Sequence, residues 1–499
     1  VSEGEGERFR DSNAARLSPL LTLWVRHGKP TFDPDRIEAI MNPAAVSQQI
    51  SDAQATEEQF LRQIFIRSQM QEFVQDPLLM AKADGVWYED VHGKRYLDAL
   101  SGIYVMSVGH NNRRVIDAVK EQLDTLAFSP PMHGSNPQAV RLANRLAELA
   151  PGDLSAVKLA SGGSEATEAA IKMARQYHRL QGNGTKYKII SRYHSWHGST
   201  MGSLSASGLA SRRAVNEPLA PGFIHVFPPT CYRCPFGKEY PGCDLTCATL
   251  IEDVIRLEGA DTVAAVMVEP IGHTGGIIDP PEEYLPKLRE FCDRHNVLLI
   301  FDEIINGAGR TGHMFAAETF GVVPDMVCLG KGISGGYAPL AALICRQHIA
   351  DAFWGDPAEN PGFVEGHTFE GNPIACAAGL ATLDEIIERD LCGNARRMGE
   401  RLRAGLEGLK RHGIIGDIRG KGLFMGVEFV RDPATKEQFD PPIGLAIGRR
   451  ALQNGMLTRF DPHWLAVGPP LTIDEEQIDE IVRLLDQSIS EILSEVSAT

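Results

Sequence analysis

The apolar positions of this chain gather in short unbroken runs, and several of these runs end on charge. Residues 297–301 are apolar throughout and lead into Asp302 and Glu303. Residues 326–329 lead into Gly330, Lys331 and Gly332, and residues 264–268 into Glu269 and Pro270. A run that is apolar at every position suits a strand covered on both faces, as in a parallel sheet between helix layers. Residues 157–160, 187–191 and 340–345 read as further strands. Between them lie segments of helical period over 112–127, 137–149 and 283–295. The last of these carries Tyr284, Leu285, Leu288, Phe291 and Cys292 on one stripe. Such repeated strand–helix units predict a doubly wound α/β sheet.

The flanks follow different rules. A helix is predicted over 56–74. Residues 85–98 alternate around His92-Gly93, which reads as a hairpin. Beyond Pro373 the pattern predicts one long helix running into the 396–409 region, then strands over 414–419 and 423–430. A closing helix from Asp474 turns Ile478, Ile481, Leu485 and Ile492 inward. No internal repeat or low-complexity tract interrupts this order.

Composition narrows the class. The chain has 499 residues, of which 43% are hydrophobic and 23% charged, as in an ordinary soluble protein. That length suggests roughly two to four domains. A formal charge of −16 disfavours nonspecific binding to nucleic acid or anionic membrane. The apolar stretch over 17–25 is too short to span a bilayer and contains Pro19. Nine cysteines are too few for a disulfide scaffold, and their odd number points to a reducing compartment. A cytoplasmic location is the expectation. The first methionine is Met41, and residues 1–40 read either as an upstream extension or as a flexible arm.

Three features carry candidate chemistry. Asp302 and Lys331 fall just past the carboxyl ends of two predicted central strands, where open α/β sheets hold their ligands. Gly162, Gly163 and Ser164 open an alanine-rich helix, whose free amides and positive dipole end make an anion site. Cys231, Cys234, Cys243 and Cys247 crowd into one short segment. Their spacing permits a structural zinc held by four thiolates, with free or occasionally oxidised thiols the preferred reading.

Phe301-Asp302-Glu303, then Gly307-Ala308-Gly309-Arg310-Thr311-Gly312, then Gly330-Lys331-Gly332 resemble the class III aminotransferases. The resemblance extends over nearly all of the chain from about Met70. It implies the fold type I of enzymes that use pyridoxal 5′-phosphate (PLP), a large domain with a mostly parallel sheet plus a smaller α+β domain. The implied division is an extension over 1–55, the large domain over 101–372, and the small domain from 56–100 together with 373–499. The resemblance assigns Lys331 to hold PLP covalently and to move the reacting proton. Asp302 would pair with the pyridine nitrogen. Gly162, Gly163 and Ser164 would bind the phosphate, and Trp196, followed by His197, would stack on the ring opposite Ile304. Thr368 would bind the phosphate of the neighbouring subunit, which implies an obligate homodimer and leaves a tetramer open.

On the substrate side the resemblance places Tyr104 in the pocket, although a plain core tyrosine explains that residue as well. Arg459 matches a mobile arginine that reads the acceptor's carboxylate, the alternative being a surface arginine near a loop. Members using glutamate and 2-oxoglutarate often carry a glutamate where this chain has Thr274. Its absence resembles the branch that moves an amino group from an amine or ω-amino acid to pyruvate. His273 departs from that branch, which usually has glycine there. Glu269 and Glu303 read as structural. An aminomutase or decarboxylase would use the same Lys331 and Asp302, and a non-catalytic zinc-binding protein is the reading furthest from the motifs. The four-cysteine segment is not required by the family and reads as an insertion.

Overall fold

The computed structural model describes residues 78–360 and 362–497. The helix expected over 56–74 and the segment before it lie outside the described residues. From Met80 onward the chain forms one compact unit built on three sheets.

The hairpin around His92-Gly93 forms as the alternation predicts. Strands β1 (Met80–Asp84), β2 (Trp87–Asp90) and β3 (Arg95–Asp98) run antiparallel in sequence. The central sheet takes its strands from β4 (Leu154–Ala160), β5 (Lys188–Arg192), β6 (Phe223–Val226), β7 (Val263–Val268), β8 (Leu298–Asp302), β9 (Met326–Leu329) and β10 (Ala341–Arg346). Their spatial order is β4-β10-β9-β8-β7-β5-β6. Only β10 is reversed, pairing antiparallel with both β4 and β9. Every residue of β7, β8 and β9 is buried, as unbroken apolar runs require. Alternate side chains feed opposite faces. Val266, Val268, Leu299, Phe301, Val327 and Leu329 enter one hydrophobic core, while Ala265, Met267, Leu298, Ile300, Met326 and Cys328 enter the other. The helix Gly163–Leu180 covers the second core through Ala166, Ala169, Ala170 and Ala174, whose small side chains let it approach closely.

The long helix expected beyond Pro373 is two helices, Pro373–Glu388 and Leu391–Gly408. Asp390 stands between them with φ +45°, and its carboxylate accepts the Gly393 amide at 3.1 Å. This N-cap starts a second helix rather than continuing the first. A Cβ at Gly393 would lie 2.0 Å from that carboxylate, so the cap needs glycine there. The remaining sheet joins β11 (Ile415–Lys421) and β12 (Phe424–Phe429) to β14 (Arg459–Asp461) and β15 (Trp464–Val467). Strand β13 (Met456–Leu457) instead runs parallel to β3. The chain thus passes from one small sheet to the other within a few residues and carries Arg459 with it. No described helix is long and apolar enough to cross a membrane.

Candidate active site

Strands β8 and β9 are neighbours, and Asp302 pairs in register with Cys328, so Asp302 and Lys331 emerge at the same sheet edge. Asp302 is 3% exposed. One carboxylate oxygen lies 2.7 Å from Nδ1 of His197, and the other accepts the Ile304 amide at 3.1 Å. His197 is fixed in its turn. Its amide donates to the Ser207 hydroxyl at 2.8 Å, and its carbonyl accepts from the Thr167 hydroxyl at 2.7 Å. The carboxylate therefore points in a direction set by two packed segments. Lys331 is half-buried with φ +42°, a conformation an L-residue seldom adopts without a reason in its surroundings. Burial lowers its amine's pKa, while the negative charges of Asp302 and Glu269 act against that shift.

Across the mouth of the sheet, Gly162 is the extended N-cap of the helix Gly163–Leu180 and supplies no side-chain cap. The first amides of an 18-residue helix point outward there, a ready anion site. Ser164 joins this cradle to the next loop, its hydroxyl accepting the Ser199 amide at 3.0 Å. Ile304 is wedged between two glycines. A Cβ at Gly163 or at Gly330 would come within 3.0 Å of its side chain. Trp196, next to His197, is half-buried. A lysine amine, a buried oriented carboxylate and an anion cradle made of backbone suit a phosphorylated heteroaromatic aldehyde such as PLP.

The sequence profile of the aminotransferase class-III family matches residues 69–489. The chain belongs to the class III aminotransferases. It is 39% identical over 427 residues to the adenosylmethionine-8-amino-7-oxononanoate aminotransferase of Geobacter sulfurreducens, covering 85% of this chain and 94% of that protein. It is 38% identical over 430 residues to the taurine–pyruvate aminotransferase of Bilophila wadsworthia, covering 84% and 93%. Among solved structures, the (S)-enantioselective omega-transaminase of Thermomicrobium roseum superposes with a TM-score of 0.83 at 36% identity, covering 86% of this chain and 96% of that one. The protein is thus a PLP-dependent enzyme of fold type I, and its central sheet has the mostly parallel form expected of it.

Around this class III site the remaining candidates are arranged unevenly. Tyr104 is 1% exposed, with its ring edge-on to Phe424 at 5.2 Å and to His273 at 4.9 Å. Arg459 is not the free surface side chain that its loop allowed. Its Nε donates to Asp461 at 2.7 Å, and its guanidinium lies over the Trp464 ring at 5.6 Å. Thr274 donates its hydroxyl to the His194 carbonyl. Thr368 is exposed on the loop before Pro373.

The cysteine segment departs from the zinc reading. The four sulfurs belong to free cysteines that line one small cavity. Among the described residues, no group of three or more His, Cys, Asp or Glu side chains is arranged to hold a metal ion. Sequence spacing brings thiols near one another without fixing where their sulfurs point, and a tetrahedral site needs both.

Some contributors were not visible as such in the sequence. Arg310 is buried and donates to the Leu423 carbonyl at 3.0 Å, the Pro469 carbonyl at 2.5 Å and the Ser101 hydroxyl at 2.9 Å. It ties the loop after β8 to the C-terminal sheet and to the segment bearing Tyr104. Its motif was readable as a signature, but these partners are distant in sequence. Glu269 is buried beside His197, Asp302 and Arg192, and burial raises its pKa to about 7.

Proposed function

We propose that this class III aminotransferase moves an amino group from an amine or ω-amino acid to pyruvate or a similar small keto acid. The observation that carries the reading is the pairing of Arg459 with Asp461 beside a loop that has Thr274 rather than a carboxylate. A guanidinium suits a keto acid because its planar fork makes two parallel hydrogen bonds to a carboxylate. Resting on Asp461, it can release to an acid and withdraw for an uncharged amine, so one pocket serves both half-reactions. The pyruvate-using relative named above supports the acceptor.

Each residue then has a physical task. Bound in the cradle, PLP supplies a carbonyl for the amine and a ring that accepts carbanion electrons. Gly162, Gly163 and Ser164 hold its phosphate, and Trp196 and Ile304 confine the ring. Asp302, oriented by His197, keeps a proton on the ring nitrogen. Lys331 would hold the group covalently, and its free amine would move a proton from the donor carbon. Its lowered pKa raises the fraction of neutral amine available as a base. Glu303 stays structural. Its carboxylate accepts the Ala316 amide at 2.6 Å and the Ala317 amide at 2.8 Å. The division into a large domain over 101–372 and a small domain from 56–100 and 373–499 belongs to the same reading.

Arg459→Ala should raise the pyruvate requirement by about ten- to hundred-fold, since charge-assisted hydrogen bonds contribute roughly 1.5–3 kcal/mol each. The half-reaction with a simple amine should be spared. Equal losses in both half-reactions, or none with pyruvate, would remove Arg459 from this role. The exposed Thr368 fits a task in a homodimer, holding the partner's phosphate. Thr368→Ala should weaken PLP retention about ten-fold or more by the same scale, measured by dialysis against PLP-free buffer. A fully active monomer that retains PLP would contradict the dimer.

A further inference from the structure

His273 sits in the turn that follows β7. Its carbonyl accepts the amides of Gly276 and Ile277, both at 3.1 Å, and Arg419 holds the turn from outside by donating to the Gly276 carbonyl at 2.7 Å. The imidazole is 6% exposed and is framed by three aromatic rings. Tyr104 lies edge-on at 4.9 Å, Phe424 stacked at 6.2 Å and Trp464 edge-on at 6.3 Å. Backbone and rings together leave this side chain little freedom to turn.

Within this frame two polar atoms lack partners among the described residues. Nε2 of His273 and the hydroxyl of Tyr104 are both buried and make no hydrogen bond there. Buried polar groups are nearly always paired, so two on touching side chains call for a partner from outside the chain. The surroundings indicate its charge. Arg459 packs on Trp464, itself against His273, and the positive charges of both Arg459 and Lys331 reach the imidazole. Burial and these two cations favour the neutral ring, which with its proton on Nε2 donates a hydrogen bond without adding a third positive charge. An oxygen-bearing anionic group satisfies the donors and the cation together.

We propose that His273 is a specificity-determining residue that, with Tyr104, hydrogen-bonds the acid group of the substrate opposite the contact made by Arg459. The inference rests on the reading of Arg459 as the acid-binding arginine. It assigns acid-bearing substrates, ω-amino acids and small keto acids, as the class this pocket favours over simple amines.

The test uses the PLP-loaded enzyme and two variants. His273→Phe keeps a ring and removes the donor, and His273→Gln restores a neutral donor. Calorimetric binding of propionate, which has the acid group but no amine, gives a readout apart from turnover. His273→Phe should weaken propionate binding and raise the KM for β-alanine and pyruvate about ten-fold, leaving kcat and the half-reaction with isopropylamine near wild type. His273→Gln should recover most of the loss. An unchanged propionate affinity, or equal losses for β-alanine and isopropylamine, would overturn the inference. Arg459→Ala, measured alongside, separates the two claims. If it loses propionate while His273→Phe does not, only the role of His273 fails. If neither variant loses propionate, the acid-binding reading of Arg459 fails with it. Thermal denaturation and cofactor absorbance establish that each variant is folded and loaded.

Discussion

Lys331→Ala should abolish turnover, with a loss of about 10⁴-fold or more, since a positioned proton-transfer group alone contributes about 10²–10⁴-fold and this lysine is also proposed to anchor the cofactor. Its position supports both roles. It follows β9 directly, emerges beside Asp302, and has its amine pKa lowered by burial against the pull of two carboxylates. The protein should remain folded, because the substitution removes a half-buried cation rather than a piece of the hydrophobic core. Borohydride treatment should fix PLP to the wild-type chain, so that it survives denaturation, and should fix none to the variant. A folded Lys331→Ala protein with normal turnover would remove lysine from the chemistry.

The second large effect belongs to Asp302. Asp302→Asn keeps the shape of the side chain and removes its charge. The bond to His197 then loses its charge assistance, and the negative charge proposed to face the ring nitrogen disappears. Turnover should fall by about 10²–10³-fold or more, the scale seen when one preorganised electrostatic contact is lost from a transition state. PLP should still bind, because the anion cradle at Gly162 to Ser164 lies on a different element. The sign of a secondary effect is also fixed. Asp302 raises the pKa of Lys331, so neutralising it should move the lysine's titration to lower pH. Retained turnover with a shifted titration would mean that Asp302 tunes Lys331 but does not serve the ring nitrogen.

Much of this arrangement was legible because burial on both faces leaves a mark in sequence. Strands β7, β8 and β9 are apolar at each position until the charged residue at their ends, and the sheet places those ends together. The direction of a strand leaves no such mark. The run over 340–345 reads like its neighbours, yet β10 is the one reversed strand. The helix break at Asp390 was hidden because both halves keep a helical period, and a cap depends on a single carboxylate in an unusual conformation. Contacts between distant segments were equally silent, as with His197 on Asp302 and Arg310 on the C-terminal sheet. The cysteines show the reverse case, since their spacing permits a metal geometry that the described loop does not make, and they stand as the free thiols that spacing also allows.

In the proposed function one lysine-bearing site runs two separable half-reactions, the second with a small keto acid. The direct measurement is a single-turnover titration of the purified PLP-loaded enzyme, followed by absorbance and by product analysis. A donor amine alone should bleach the PLP band and release one equivalent of carbonyl product per site. Pyruvate, added after removal of that product, should restore the band and yield one equivalent of alanine. Restoration of the band without pyruvate, or product formed without any keto-acid acceptor, would contradict transamination at this site.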